Sequence, residues 1–180
     1  MLPIGPLMIE HRLIERMIAI IKKELVQIEK DKSVNTSFID TVVDFIRTYA
    51  DRCHHGKEED ILFRDLKKKS LSDDHLRILK ELIDEHQWAR KTTARIVDGK
   101  ERYLKGEKGS LDGIVDCLST LAEFYPKHIE KEDKHFFIPV MKYFSQDEKD
   151  FMLKEGYEFD KKLIHEKYEN IVSEAEERVV

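Results

Sequence analysis

The sequence predicts an all-α fold: an up-down-up-down antiparallel four-helix bundle with an additional C-terminal helical segment. Apolar residues recur at spacings of three, four and seven along most of the chain, with charged residues between them. Only 7 glycines and 4 prolines interrupt the 180 residues, which favours long helices over many short strands. The interruptions leave four long segments with short connections, and helices joined in this way pack as antiparallel neighbours.

The first two predicted helices are separated by a polar stretch. Helix A covers about residues 7–31, and residues 32–37 are rich in the side chains that cap helix N-termini. Helix B follows and should run to about residue 68. We expect Ser72 or Asp73 to cap the next helix.

Helix C ends near Leu104, before the clearest break in the chain at residues 106–109. Helix D begins near Ser110. It contains Pro126, which should kink it because proline removes one backbone donor. Pro139 should end this helix or bend it again.

The remaining residues predict a separate helical segment. Ser145 and Glu148 have the spacing of a capping box, and the helix that follows should break near Gly156. The sequence therefore divides into a bundle over residues 1–144 and a C-terminal helical extension over residues 145–180 that packs on it.

Composition and charge exclude several classes of partner. The net charge is −5 and both signs are mixed, so no basic stripe predicts binding to nucleic acid. No apolar stretch approaches the roughly 20 residues that span a membrane. Cys53 and Cys117 form neither a CxxC pair nor a secreted framework, and the N-terminus does not resemble a signal peptide. These features predict a cytoplasmic protein; a homodimer is left open.

The positions of the histidines carry the functional prediction. The chain has 8 histidines. In helix B, Glu58 follows His54 by four residues and His55 by three, and in helix D, Glu132 follows His128 by four. These spacings put a histidine and a carboxylate on one helical face.

Helix A contributes His11 and helix C contributes His86, and the helix lengths bring all four positions level. About 20 residues separate His11 from the end of helix A, and about 18 separate the start of helix B from His54, so these arms are roughly 30 and 27 Å long. The lengths of helix C from His86 to each of its ends match the facing lengths of helices B and D equally well. The four helices should therefore present these side chains at one depth.

Imidazole and carboxylate together predict a metal centre. Iron, manganese and zinc all accept these ligands. Carboxylates can also bridge two metal ions about 3.5 to 4 Å apart inside a helical bundle. Glu58 could have one imidazole on each metal, and Glu132 would give a second bridge.

As a set, these motifs resemble the haemerythrin-like (HHE) cation-binding family over about residues 7–144. The resemblance implies two iron ions in an oxo- or hydroxo-bridged di-iron centre, with zinc or manganese as alternatives. It also implies five histidines, two bridging carboxylates and one position open to a small ligand such as O2. The motifs are His11, His54-His55-x-x-Glu58-Glu59, His86 and Tyr125-Pro126-x-His128-x-x-x-Glu132-Asp133.

The resemblance assigns six of the metal ligands directly and leaves one to be chosen. Oxygen-carrying haemerythrins have two helix C histidines four residues apart, but Leu82 and Arg90 flank His86 at that spacing. His55 is the best substitute, and Asp133 is an alternative to Glu132. The predicted metal ligands are His11, His54, His55, Glu58, His86, His128 and Glu132.

The residues around these ligands have less specific roles. Glu59 and Asp133 are expected to orient ligand imidazoles by hydrogen bonds. Tyr125 is either a core aromatic or, one turn before His128, a hydrogen-bond partner of the site. His75, His135 and His165 match no other ligand position and are expected at the surface. These three histidines are therefore not part of the predicted site.

Three functions remain open from the sequence. The first is a protein that binds O2 or a related diatomic or peroxide for sensing, storage or stress protection. The second is a di-iron oxidoreductase, or an iron-donating repair protein, acting on O2, peroxide or NO. The third is a helical interaction module whose site is empty or holds structural zinc. The absence of a flavin, haem or rubredoxin-like module favours binding over catalysis.

Overall fold

The computed structural model describes the backbone of residues 1–179 and the side chains of residues 1–163, and over that range it is helical with no β-strand. Four helical rods are followed by a tail helix. Rod 1 is α1, rod 2 spans residues 36–66, rod 3 is α4 and rod 4 spans residues 110–143. The α-helices are α1 (Ile4–Asp31), α2 (Thr36–Asp44), α3 (Arg64–Leu66), α4 (Asp73–Leu104), α5 (Ser110–Glu130), α6 (Phe137–Val140) and α7 (Gln146–Val179).

The predicted helix starts are confirmed within a few residues, and local hydrogen bonds explain them. Asn35 caps rod 2 by accepting from the backbone N–H groups of Ser37 and Phe38. Ser72 caps α4 by accepting from the N–H of His75 at 3.4 Å. The capping box at the start of the tail helix is also present, because Ser145 and Glu148 exchange side chain to backbone bonds.

Rods 2 and 4 contain π-helical turns, which the sequence does not reveal. They cover Phe45–His55 and Glu58–Phe63 in rod 2 and Lys131–Phe136 in rod 4. Wider π turns are rare and occur often at functional sites, because they change which side chains share a face. Here they contain His54, His55 and Glu58 on rod 2 and Glu132 on rod 4, whereas His128 lies in the α-helix before the turn.

The hydrophobic core consists of two clusters on either side of the predicted ligand positions. Rod 1 runs from Ile4 and Leu7 in one cluster, past His11, to Ile14 and Ile18 in the other. Rod 2 passes through the two clusters in the opposite order, rod 3 in the order of rod 1, and rod 4 in the order of rod 2. This alternation supports the up-down-up-down bundle, which stays a prediction.

The predicted helix break at Gly156 is wrong. The tail helix α7 continues through this residue without interruption. Close packing between the tail and rod 2 requires a glycine at Gly56 and not at Gly156. A Cβ atom on Gly56 would lie 2.8 Å from Cζ of Phe159, and one on Gly156 would lie 3.9 Å from Cδ of Lys57.

Charged contacts fasten the tail helix to rod 2. Arg64 binds Glu155 through two hydrogen bonds of 2.6 and 2.8 Å. The buried ammonium group of Lys57 lies 2.7 Å from Asp160. Asp160 also accepts a hydrogen bond from the half-buried thiol of Cys53 at 3.4 Å. The tail therefore packs against the Cys53 thiol of rod 2.

The thiol of Cys53 should report whether the tail is docked. Burial and the nearby Asp160 carboxylate raise its pKa to about 12, so little reactive thiolate exists at pH 8. We expect Asp160→Ala to raise the rate of alkylation of Cys53 by iodoacetamide severalfold, as measured by mass spectrometry. Cys117, which is buried elsewhere in the core, is the internal control and should stay unreactive. An unchanged Cys53 rate would contradict this account of tail docking.

Candidate metal centre

All seven predicted ligands lie together, buried at the middle of the four rods. None of their residues is more than 2% exposed. Within each group the ligand atoms lie no more than 4.8 Å from one another. The two groups are His11, His54, Glu58 and Glu132, and His55, His86 and His128.

The two glutamates connect the groups because each presents one carboxylate oxygen to each side. Oε1 of Glu58 lies 3.4 Å from Nε2 of His54, and its Oε2 lies 3.5 Å from Nε2 of His86. Oε2 of Glu132 lies 3.2 Å from Nε2 of His11, and its Oε1 lies 3.3 Å from Nε2 of His128. Metal–ligand bonds of about 2.0 to 2.2 Å put neighbouring donor atoms roughly 3 Å apart, so these separations suit a pair of metal ions.

Many buried nitrogen and oxygen atoms of these side chains lack a hydrogen-bond partner, which favours a site for cations. Buried polar groups are nearly always hydrogen-bonded, because an unpaired one costs about 1 to 3 kcal/mol. Apart from the Tyr125 hydroxyl, every buried side-chain nitrogen or oxygen found without a hydrogen-bond partner in the described part of the chain belongs to a predicted ligand. They include both oxygens of Glu58 and of Glu132. A set of unpaired acceptors facing one another fits bound metal ions.

Four of the five histidines are oriented by an acid on the preceding rod. A carboxylate can only accept, so each Nδ1 carries the proton and each Nε2 keeps a lone pair for a metal. The acids form a closed ring, because rod 4 supplies the acid for rod 1. The pairs are Glu10 with His54 at 2.9 Å, Glu59 with His86 at 2.7 Å, Glu85 with His128 at 2.7 Å and Asp133 with His11 at 2.7 Å.

Each acid of this ring also binds a cationic side chain, and the cation comes from the same rod as the histidine. The basic residue follows its histidine by one, three or four residues, so one rod offers a histidine and a cation to the same carboxylate. Although burial opposes ionisation of Glu10, Glu59 and Glu85, their histidine and cation partners lower the pKa of each. The ion pairs are Lys57 with Glu10, Arg90 with Glu59, Lys131 with Glu85 and Arg12 with Asp133.

His55 lies outside the ring and is held differently. Its imidazole stacks on that of His86, with ring centroids 3.8 Å apart. Its Nδ1 lies 3.4 Å from Oδ1 of Asp51, one turn earlier on rod 2. Arg90 donates to both Asp51 and Glu59, at 2.7 and 2.8 Å. Arg90, which follows His86 by four residues, therefore fixes the acids beside His55 and His86.

The pKa values of the histidines move in opposite directions within each group. Burial alone would lower the pKa of His11, but the adjacent Asp133 and Glu132 carboxylates outweigh it and raise that pKa to about 9. Burial lowers the pKa of His54 to about 4 and that of His55 well below its usual range. The site therefore keeps these two imidazoles neutral, which is the form that binds metals.

The two glutamates have pKa values that move in opposite directions. Burial and the neighbouring Glu132 carboxylate raise the pKa of Glu58. Burial also opposes ionisation of Glu132, but the surrounding imidazoles, His128 and His11 among them, lower its pKa well below the usual value. Two carboxylates so close together repel each other, and a positive ion between them would relieve that repulsion.

The remaining predictions about the site have mixed outcomes. Glu59 and Asp133 belong to neither group of ligand atoms. As expected, they accept hydrogen bonds from His86 and His11. His135 is exposed as predicted, whereas His75 is half-buried and lies 2.8 Å from the Tyr143 hydroxyl. The side chain of His165 lies outside the described residues.

Sequence reasoning missed Glu10, Glu85 and Asp51. A signal for two of them exists, because Glu10 and Glu85 stand directly before a predicted ligand, as Glu59 and Asp133 stand directly after one. A residue next to a ligand faces the neighbouring rod, where it can reach another histidine. The acids of the ring are therefore recognisable once the ligand positions are known.

Fold and site together define an all-helical protein with a buried histidine and glutamate centre suited to cations. A family model for the hemerythrin HHE cation binding domain matches residues 2–138. The chain belongs to this family. No curated protein and no solved structure gives a significant match to it. No helix among the described residues is long and apolar enough to cross a membrane.

Removal of one acid of the ring should weaken metal binding without unfolding the protein. Glu85→Gln leaves a neutral acceptor at His128, so we expect metal affinity to fall by roughly 10- to 100-fold. Competition with a chromogenic chelator measures this change. Glu81→Gln is the matched control, because Glu81 lies one turn earlier and contacts Lys131 at 3.3 Å but no histidine. Equal affinities for the two variants would contradict the orienting role of Glu85.

Proposed function

We propose that this protein holds two iron ions and uses them to bind O2 or a related diatomic or peroxide, for sensing, storage or stress protection. The seven predicted residues would be the metal ligands, with Glu58 and Glu132 bridging the pair. His11 and His54 would bind one ion, and His55, His86 and His128 the other. Zinc or manganese also suits these donors.

The single observation that supports a pair of ions is the spanning position of the two carboxylates. Each has one oxygen beside each histidine group, at 3.2 to 3.5 Å from an imidazole nitrogen. A site for one ion would need no such arrangement, since one group of donors would be enough. Carboxylates shared by facing helices are the usual means of holding two ions inside a bundle.

The donor count supports a position for a small ligand. Three histidines, two carboxylate oxygens and a bridging oxygen would fill six positions around one ion. Two histidines, two carboxylate oxygens and the same bridge would fill only five around the other, so His11 and His54 would face the open position. A di-iron pair would supply electrons to a ligand bound there, while the ring of acids holds four of the imidazoles in place.

We also propose that rods 1 to 4 form the predicted up-down-up-down bundle, with residues 1–144 as the metal-binding unit and 145–180 as an extension packed on it. The alternating order in which the rods pass through the two core clusters supports the bundle. The contacts of Glu155 and Asp160 with rod 2 support the packing of the extension.

Metal analysis and absorption spectroscopy test the proposed function. We expect about two iron ions per chain after anaerobic purification, and absorption bands in the near ultraviolet and visible that change when O2 or azide is added. A protein with one zinc ion or none, and without ligand-dependent bands, would instead be a helical interaction module. Steady consumption of O2, peroxide or NO with a reductant would indicate an oxidoreductase.

Removal of the metal should destabilise the fold. Bound ions would relieve the repulsion between Glu58 and Glu132 and occupy their unpaired acceptors, whereas the unfolded chain has no such site. A free metal concentration 1,000 times the dissociation constant would stabilise the folded state by about 4 kcal/mol. We expect a chelator to lower the melting temperature by several degrees, as measured by circular dichroism, and added metal to restore it. Equal melting temperatures with and without metal would contradict a preformed centre.

A further inference from the structure

A cavity of about 80 Å³ reaches the metal centre from the side of the three histidines. Its outer end is at the surface, where Arg47 is exposed and Arg90 partly exposed, and its inner end lies at the buried His55 and Tyr125. This volume exceeds what one water molecule needs, so several small molecules fit. The lining residues are Ile46, Arg47, Asp51, His55, Ala89, Arg90, Thr93 and Tyr125.

The inner part of this cavity has a hydrogen-bond donor with nothing to donate to. Tyr125 is 1% exposed, and its hydroxyl has no hydrogen-bond partner in the described part of the chain. Burial and the negative charge of Asp51 raise the pKa of Tyr125, so the phenol keeps its proton. Asp51, on the same cavity wall, supplies acceptor oxygens. A buried hydroxyl at a cavity implies an occupant that accepts hydrogen bonds.

The polarity of the cavity distinguishes between the ligands considered for the metal centre. In the resting protein, water would satisfy the Tyr125 hydroxyl. O2 and NO form weak hydrogen bonds, so a molecule of either would have to displace that water without replacing its bonds, which loses affinity. Hydrogen peroxide both donates and accepts, and it is small enough to replace water bond for bond.

We propose that this cavity, which we call the Tyr125 cavity, is a binding site for hydrogen peroxide, with the Tyr125 hydroxyl as donor and the Asp51 carboxylate as acceptor. The proposal rests on the proposed function, because it selects peroxide among the ligands of the same centre. It concerns binding beside His55 and requires no open metal position there. Tyr125 is thus a specificity-determining residue.

The test uses zinc-loaded protein, because zinc does not react with peroxide. Histidine side chains labelled with ¹⁵N are followed by NMR while hydrogen peroxide is added. We expect the His55 resonances to shift and saturate, and to return when catalase removes the peroxide. Reversal separates binding from oxidation of methionine or cysteine. Tyr125→Phe should weaken the apparent affinity roughly three- to tenfold, which is the effect of losing one neutral hydrogen bond.

A second variant keeps the proposal testable if Tyr125→Phe does not fold. Ala89→Val adds two methyl groups to the cavity wall and should also weaken the peroxide response, while the Tyr125 hydroxyl is intact. Ala94→Val is its matched control, because Ala94 is on the same helix but exposed. Tyr157→Phe, at an exposed tyrosine, controls for the loss of a hydroxyl. Neither control should change the response.

The outcomes separate this proposal from the proposed function. A wild-type protein that binds two metal ions but shows no His55 shift with peroxide would overturn the peroxide site and leave the metal centre intact. An identical response in wild type, Tyr125→Phe and Ala89→Val would also overturn it. Failure of the wild type to bind metal would instead contradict the proposed function.

Discussion

The structure depends on burying a group of polar side chains without leaving them free to turn. Five imidazoles and two carboxylates lie at the centre of the rods, where water cannot compensate for lost hydrogen bonds. The ring of acids fixes one nitrogen in four of the five imidazoles. Each acid is then balanced by a lysine or arginine at the outer edge. Outward from the centre, the groups therefore follow in the order carboxylate, imidazole, acid and cation.

The same ring joins the rods to one another. Each of its acids belongs to one rod, while its histidine and its cation both belong to the next, so every neighbouring pair of rods shares a three-part contact. The two apolar clusters on either side supply the burial energy, whereas the ring specifies how the rods are aligned. A rod shifted by one turn would separate its histidine from the acid. This dependence explains why polar residues are tolerated at the middle of the core.

The tail helix extends this network beyond the matched domain. Lys57 contacts both Glu10 of the ring and Asp160 of the tail, so one buried ammonium group connects the tail to the acid that orients His54. Glu10, Cys53 and Asp160 lie close enough to hold a cation, and Lys57 already supplies one. Asp51 and Arg90, which line the Tyr125 cavity, also line a surface pocket together with Phe159 of the tail. The tail therefore lies beside the outer end of the route to His55.

The sequence by itself determined the helices, their caps and the depth at which the ligands meet, because helical periodicity and rise are local properties. It also predicted His55 as a ligand, and His55 lies in one group with His86 and His128. Only the tertiary structure decided the π-helical turns, the continuous helix through Gly156 and the partners Glu10, Glu85 and Asp51. Those features depend on which rod lies beside which, and on how closely they approach. Glu10 and Glu85 stand next to predicted ligands in the sequence, but only the packing of the rods shows which histidine each of them reaches.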